Sequence, residues 1–160
     1  MNLTWVLDEC QESSAMESVF KYYFGGVDVI LGPPCSGAAL VAGSVAKYLN
    51  TPLFLWGPPF TSDLLNRYEY PTVVSTTSSN LYQAIALITF LEAMEWHEIA
   101  IMFYVSVSNK IPRCNSIIND LGTRLDSNQN ISVTYRRQLS SITNSSFTSF
   151  LSTAKAFARG

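Results

Sequence analysis

An α/β fold of parallel strands flanked by helices, divided into two lobes, is what this 160-residue sequence predicts. Three observations predict it. Short apolar runs of strand length alternate along the chain with stretches whose apolar residues recur at helical spacing. Glycine and proline punctuate the ends of the apolar runs, as in Gly32-Pro33-Pro34 and Gly57-Pro58-Pro59. A polar run, Thr76-Thr77-Ser78-Ser79-Asn80, separates the alternation into lobes spanning 1–78 and 79–160.

Taken in order, Leu3 to Leu7 reads as a strand ended by Asp8, Glu9 and Cys10. A helix comes next, from Ser14 to Phe24, with Ala15, Met16, Val19, Phe20 and Tyr23 on one face and Gly25-Gly26 closing it. Val27, Val29, Ile30 and Leu31 form a near-continuous apolar run, the pattern of a strand covered on both faces. Gly32 to Pro34 break that strand, and Ser36 stands at the N-cap of a helix carrying Ala38, Val41, Ala42, Val45 and Leu49. Leu53 to Trp56 is the next strand. An irregular stretch from Phe60 to Tyr70 leads to a strand from Thr72 to Ser75.

The second half begins with an amphipathic helix carrying Leu81, Ala84, Ile85, Ile88, Leu91 and Met94. Glu98 to Val105 predicts a strand that could be buried on both faces. Cys114, Ile117, Ile118, Leu121 and Leu125 are in helical register, and Ile131, Val133 and Tyr135 alternate with polar residues in a strand up to Arg137. Phe147, Phe150, Leu151, Ala154 and Phe157 mark a last helix. Strands alternating with helices imply right-handed crossovers between parallel neighbours.

Composition removes several function classes. The apolar fraction of 48% is that of a globular protein, while the charged fraction of 14% is low, with Ser, Thr and Asn in its place. A net charge of −2 without a basic cluster argues against nucleic acid. No window approaches the ~20 apolar residues of a membrane span, and Met1 leads into NLTWVLDEC without the pattern of a secretory signal. Three cysteines and one histidine, without a close-spaced pair, disfavour zinc, and no cofactor is expected. GPPCSG lacks the Gly-Lys-Ser/Thr of a phosphate loop. His97 lies before a strand, away from the carboxyl ends where a catalytic triad would gather. Asp8-Glu9 reads as a strand-end cluster, and Glu92 with Glu95 as a solvated helix face. No catalytic residue is expected. Asn2, Asn130 and Asn144 head Asn-X-Ser/Thr sequons and are candidate N-glycosylation sites.

The run VDVILGPPCSGAALVAGSVAKYLNTPLFLWG, the preceding DEC at Asp8 to Cys10, the segment YPTVVSTTSSN and the later EWHEIAIMFY resemble the extracellular ligand-binding region of receptor guanylate cyclases. The likeness is to their nematode chemosensory branch and, more broadly, to natriuretic-peptide receptors and the type I periplasmic-binding-protein superfamily. It covers essentially the whole chain, and GPPCS with the upstream DEC is its specific part. The resemblance implies a bilobed fold, here truncated at both ends. In such regions a strand and helix precede DEC, and that strand would lie between Leu3–Leu7 and Val27–Leu31; the two strands here must pair directly or leave a gap. The chain is expected to be a fragment whose membrane span, kinase-like region and cyclase lie outside it.

The resemblance also implies a disulfide between Cys10 and Cys35. Both lie just past predicted strands, so parallel strands would bring them to one edge of the sheet; two unpaired thiols are the alternative. Such a bridge would contribute roughly 3 to 4 kcal/mol on the chain-entropy model. Cys114 is expected to be a free thiol on a helix face, its family partner lying further along the chain, or an ordinary small apolar residue. Ligand contacts are expected in the cleft between lobes, at strand carboxyl ends: Ser36, Trp56, Thr77, Ser78 and Tyr104. Ser36 also reads simply as a helix cap, and Trp56 and Tyr104 as packing residues. The amides of Ser36 and Gly37 would face an anion at the helix start, although Pro34 lacks a donor.

As a receptor module, the chain is expected on the extracellular face of the plasma membrane. Its expected partners are an extracellular small molecule or peptide and a second receptor chain in a homodimer or heterodimer. A soluble small-molecule binding protein of the periplasmic type is the alternative.

Overall fold

The computed structural model describes residues 3–7, 9–57, 60–104 and 113–157, with side chains in the last segment from Ser116 onward. The chain divides into two compact units, Met1–Ser79 and Asn80–Gly160.

The first unit contains α1 (Glu12–Phe24), β1 (Ile30–Leu31), α2 (Ser36–Leu49), β2 (Leu53–Leu55), a 3-10 turn (Ser62–Leu65) and β3 (Val73–Ser75). Its sheet is parallel in the order β1-β2-β3, with Ile30 opposite Leu53 and Leu53 opposite Val73. Ile30, Leu53, Leu55 and Val73 join Ala39, Ala42 and Ala46 of α2 in one core, with Phe60 and Leu64 from the loop after β2. Full burial of Leu53 or Leu55 stabilises by roughly 1.5–3 kcal/mol each. The small residues of α2 let the helix approach the sheet. A Cβ on Gly43 would lie 2.9 Å from Val73 Cγ2 and 3.0 Å from Tyr70 Cδ1. Asn50 ends α2 in the left-handed conformation that Asn tolerates, where its N–H reaches the carbonyls of Ala46 and Lys47.

Three expectations for this unit are corrected. Leu3–Leu7 is not a strand: it is irregular and exposed, and it joins no sheet among the described residues. A strand is stabilised by its ladder, so apolar composition does not hold one without a neighbour. The Val27–Leu31 run is not covered on both faces, because only Ile30 and Leu31 form the strand and Val29 and Leu31 are exposed. Leu31, Phe54 and Val74 share a register row across the three strands, and all three are exposed. Finally, α2 starts one residue earlier than expected, with Cys35 at the N-cap and Ser36 as the first helical residue.

The second unit contains α3 (Asn80–Ala93), β4 (Glu98–Tyr104), α4 (Arg113–Asp126), β5 (Ser132–Leu139) and α5 (Asn144–Phe157), with β4 and β5 parallel. Ala84, Ile88 and Leu91 of α3 pack with Leu121 and Leu125 of α4 and with Ile131, against Ile99, Ile101 and Val133 of the sheet. The strand β4 is not buried on both faces; Ile99 to Tyr104 are half-buried and Glu98 is exposed. The strict alternation expected of Ile131, Val133 and Tyr135 is broken as well. Ile99 pairs with Val133 but Ala100 pairs with Tyr135, so Thr134 is an extra residue in the ladder. Its hydroxyl donates to the Ile99 carbonyl at 3.2 Å. A bulge re-aims the side chains beyond it: Tyr135 packs against Phe150 and Phe157 of α5, at 5.4 and 5.6 Å between ring centroids, away from the Ile131 and Val133 cluster.

Candidate functional site

The loops that leave the three strands of the first unit are held together at the carboxyl end of its sheet. The Gly32 N–H donates to the Phe54 carbonyl at 2.7 Å, and the Thr76 N–H and hydroxyl both donate to the Leu55 carbonyl, at 3.0 and 3.1 Å. Phe60 bridges Ser79 in parallel fashion, and Phe60 is buried to 2% exposure. Gly57, at φ +128°, lies against Pro34, whose Cβ would be 3.2 Å from an added Cβ. Open α/β sheets place ligands at this edge because the loops leaving the strands are free to vary there.

Ser36 is half-buried in this cluster, and its hydroxyl does not cap its own helix. It accepts the backbone N–H of Thr61 at 3.3 Å, tying the start of α2 to the loop after β2. Thr61 in turn caps the 3-10 turn, donating its hydroxyl to Asp63 Oδ2 at 2.9 Å and accepting the Asp63 N–H at 3.5 Å. Trp56 is exposed, at 57%, beside Gly57. Thr77 is half-buried in a turn closed on itself: its N–H donates to Ser75 Oγ at 3.3 Å, and Ser75 Oγ donates to the Thr77 carbonyl at 3.0 Å. Ser78 is exposed next to it. Ser36, in the first turn of α2, and Trp56, Thr77 and Ser78, in loops, thus stand at one edge of one sheet. Tyr104 belongs to the second unit, half-buried at the carboxyl end of β4, opposite Leu139 of β5.

Two further buried polar residues at this edge are not among the expected contacts. Thr61 is a buried polar residue inside a stretch whose sequence reads as irregular; the signal that could mark it is a threonine, a preferred N-cap type, standing directly before Ser62-Asp63-Leu64-Leu65. Ser79 Oγ is buried with no hydrogen-bond partner among the described residues. No local pattern distinguishes it from its serine and threonine neighbours. A buried hydroxyl keeps both its donor and its acceptor capacity for whatever reaches it.

Cys10 and Cys35 form a disulfide with a Cα–Cα distance of 5.6 Å across a sequence separation of 25. Both pack with Ala15 and Ala38, so the bridge pins the start of α1 to the start of α2. That arrangement bears on the expected anion position. Glu12 Oε1 lies 2.8 Å from where a Cβ on Gly37 would stand, so a carboxylate already faces the first turn of α2. With Pro34 withholding one N–H, this helix start is poorly suited to a further anion.

His97 is exposed, and its Nδ1–H donates to the Asn130 carbonyl at 3.0 Å, at the amino end of the second sheet. Asn130 and Asn144 are exposed. Asn2 and the side chain of Cys114 lie outside the described residues. Among the described residues no cluster of His, Cys, Asp and Glu could hold a metal ion, and no helix is long and apolar enough to cross a membrane.

Comparison with known proteins agrees with this fold and extends it. The chain is similar to a substrate-binding protein of an ABC transporter from Desulfitobacterium hafniense, at a TM-score of 0.78 and 16% identity, over 98% of this chain and 44% of that one. At that identity the likeness concerns the fold, the α/β architecture of periplasmic binding proteins. Receptor-type guanylate cyclase gcy-14 of Caenorhabditis elegans is 32% identical over 143 residues, and gcy-20 of the same organism is 30% identical over 143 residues. Each match takes in 89% of this chain and 13% of the relative, so the chain spans a small part of the length of these relatives. The model of the receptor family ligand binding region matches residues 2–158. The chain belongs to the family of receptor ligand-binding regions, in the form carried by receptor-type guanylate cyclases.

Proposed function

We propose that this chain is the sensing segment of a receptor-type guanylate cyclase, held on the extracellular face of the plasma membrane. In this reading a small molecule or peptide contacts the strand-end loops, and its preference for one conformation or dimer geometry shifts the activity of a cyclase carried elsewhere in the receptor. The supporting observation is the 32% identity to a receptor-type guanylate cyclase over 89% of the chain, coupled with the family match over residues 2–158. The segments 1–78 and 79–160 are then partial lobes. Ser36, Trp56, Thr77 and Ser78 serve as contacts at the sheet edge of the first unit, and Tyr104 is a separate candidate at the carboxyl end of β4. The chain's own part is recognition, and the chemistry belongs to the cyclase. The receptor acts as a homodimer or heterodimer.

Sequencing the transcript on both sides of this segment tests the reading. A downstream membrane span, then kinase-like and cyclase sequence, is the expected result. A stop codon after a completed second lobe would overturn it in favour of a soluble binding protein.

A further inference from the structure

Two of the three sequons have described side chains, and they occupy opposite ends of the second unit's parallel sheet. Asn130 precedes β5 at the amino end, whereas Asn144 opens α5 beyond the carboxyl end. Ligands gather at the carboxyl ends of such strands. A glycan on Asn130 leaves that end open, and one on Asn144 would stand upon it.

The hydrogen bonding of the two sequons also differs. The Asn130 turn is fixed through its backbone: the N–H donates to Asn128 Oδ1 at 2.7 Å and the carbonyl accepts from His97 Nδ1 at 3.0 Å. Asn130 Nδ2, the atom that would carry a sugar, is exposed and makes a single long bond, to Glu92 Oε1 at 3.4 Å. Ser132, whose hydroxyl completes the sequon, is exposed at the first position of β5, and among the described residues its hydroxyl has no partner. In the other sequon, Ser146 is half-buried and its hydroxyl contacts Thr143 Oγ1 at 2.8 Å and Ser141 Oγ at 3.3 Å. That sequon is wound into the first turn of a helix.

We propose that Asn130 is the principal N-glycan site of the second unit. The proposal rests on the extracellular setting of the proposed function. In the transfer, Asn130 Nδ2 attacks the anomeric carbon of an oligosaccharide linked to a polyprenyl pyrophosphate. The new N–C bond replaces the C–O bond to phosphate, whose electron pair leaves with the pyrophosphate, and one amide proton is released. The second amide hydrogen remains to reach Glu92. The sugar then projects from a turn whose backbone is held in place, covering the amino end of the sheet.

The test expresses the 160-residue chain behind a cleavable secretory leader in a eukaryotic cell. Glycans are released by peptide N-glycosidase in heavy-oxygen water, and peptides from total cell material and medium are mapped by mass spectrometry. The leader supplies the compartment, so the readout is independent of whether the native chain belongs to a cyclase. Occupancy at Asn130 exceeding that at Asn144, and abolished by Ser132→Ala but kept by Ser132→Thr, is the expected result. The serine variants leave the Asn130 to Glu92 contact in place. Asn144 more heavily occupied than Asn130, or no label at Asn130, would overturn the proposal.

Discussion

The Ser36 hydroxyl receives the backbone N–H of buried Thr61 at 3.3 Å, joining the first turn of α2 to the loop that leaves β2. Ser36→Ala removes the acceptor and leaves that N–H unpaired. A loss of about 1 kcal/mol is expected, read as a lower urea midpoint at unchanged slope. Ser36→Thr, which keeps a hydroxyl, is expected to recover most of it.

The Cys10 to Cys35 bridge closes a separation of 25 residues. Replacing both cysteines by alanine is expected to cost the first unit roughly 3 kcal/mol. Denaturation with and without reductant checks this: the reductant should lower the midpoint of the parent chain and leave that of the double variant unmoved.

Gly57 and Gly43 are required for different reasons, which a pair of alanine variants separates. At Gly57 the φ of +128° is strained for any side chain, and the new Cβ would meet Pro34 at 3.2 Å. At Gly43 the backbone is helical and the penalty comes from crowding against Val73 and Tyr70. Each variant is expected to lose about 1–3 kcal/mol. Trimming Val73 to alanine should relieve part of the loss in the Gly43 variant and none in the Gly57 variant.

Asn128 clasps the second unit at the amino end of its sheet. Its Nδ2 donates to Glu92 Oε1 at 3.0 Å, and its Oδ1 accepts the N–H groups of Asn130 and Ile131 at 2.7 and 3.0 Å. Asn128→Ala removes all three bonds, for an expected loss of about 1–3 kcal/mol. Amide exchange should quicken at Asn130 and Ile131 and stay unchanged in the first unit.

Burial raises the pKa of the Tyr22 hydroxyl above its ordinary value. The unfolded chain therefore loses this proton first as pH rises. The contribution to stability is complete below the unfolded value of ~10 and fades as pH climbs through the folded one. Tyr22→Phe is expected to flatten the alkaline fall in thermal midpoint relative to the parent; an unchanged slope would count against the assignment.

Local pattern was sufficient for much of the fold. Alternating strand and helix periodicities located the helices α1 to α5 and the parallel strands, because a helix or strand that buries one side must repeat its apolar residues at its own period. The GPPCS turn with the upstream DEC carried the family. The candidate ligand residues came from strand ends alone, a rule that places residues at an edge without specifying their bonds.

Tertiary structure decided the features that depend on partners distant in sequence. Leu3–Leu7 has a strand's composition but no neighbouring ladder, so it stays irregular. Tyr135 leaves the face of Ile131 and Val133 because one inserted residue, Thr134, breaks the period of two. Ser36 caps nothing in its own helix and instead accepts from Thr61, 25 positions away. Periodicity reports which side of an element is apolar, and the pairing of elements then determines which atoms meet.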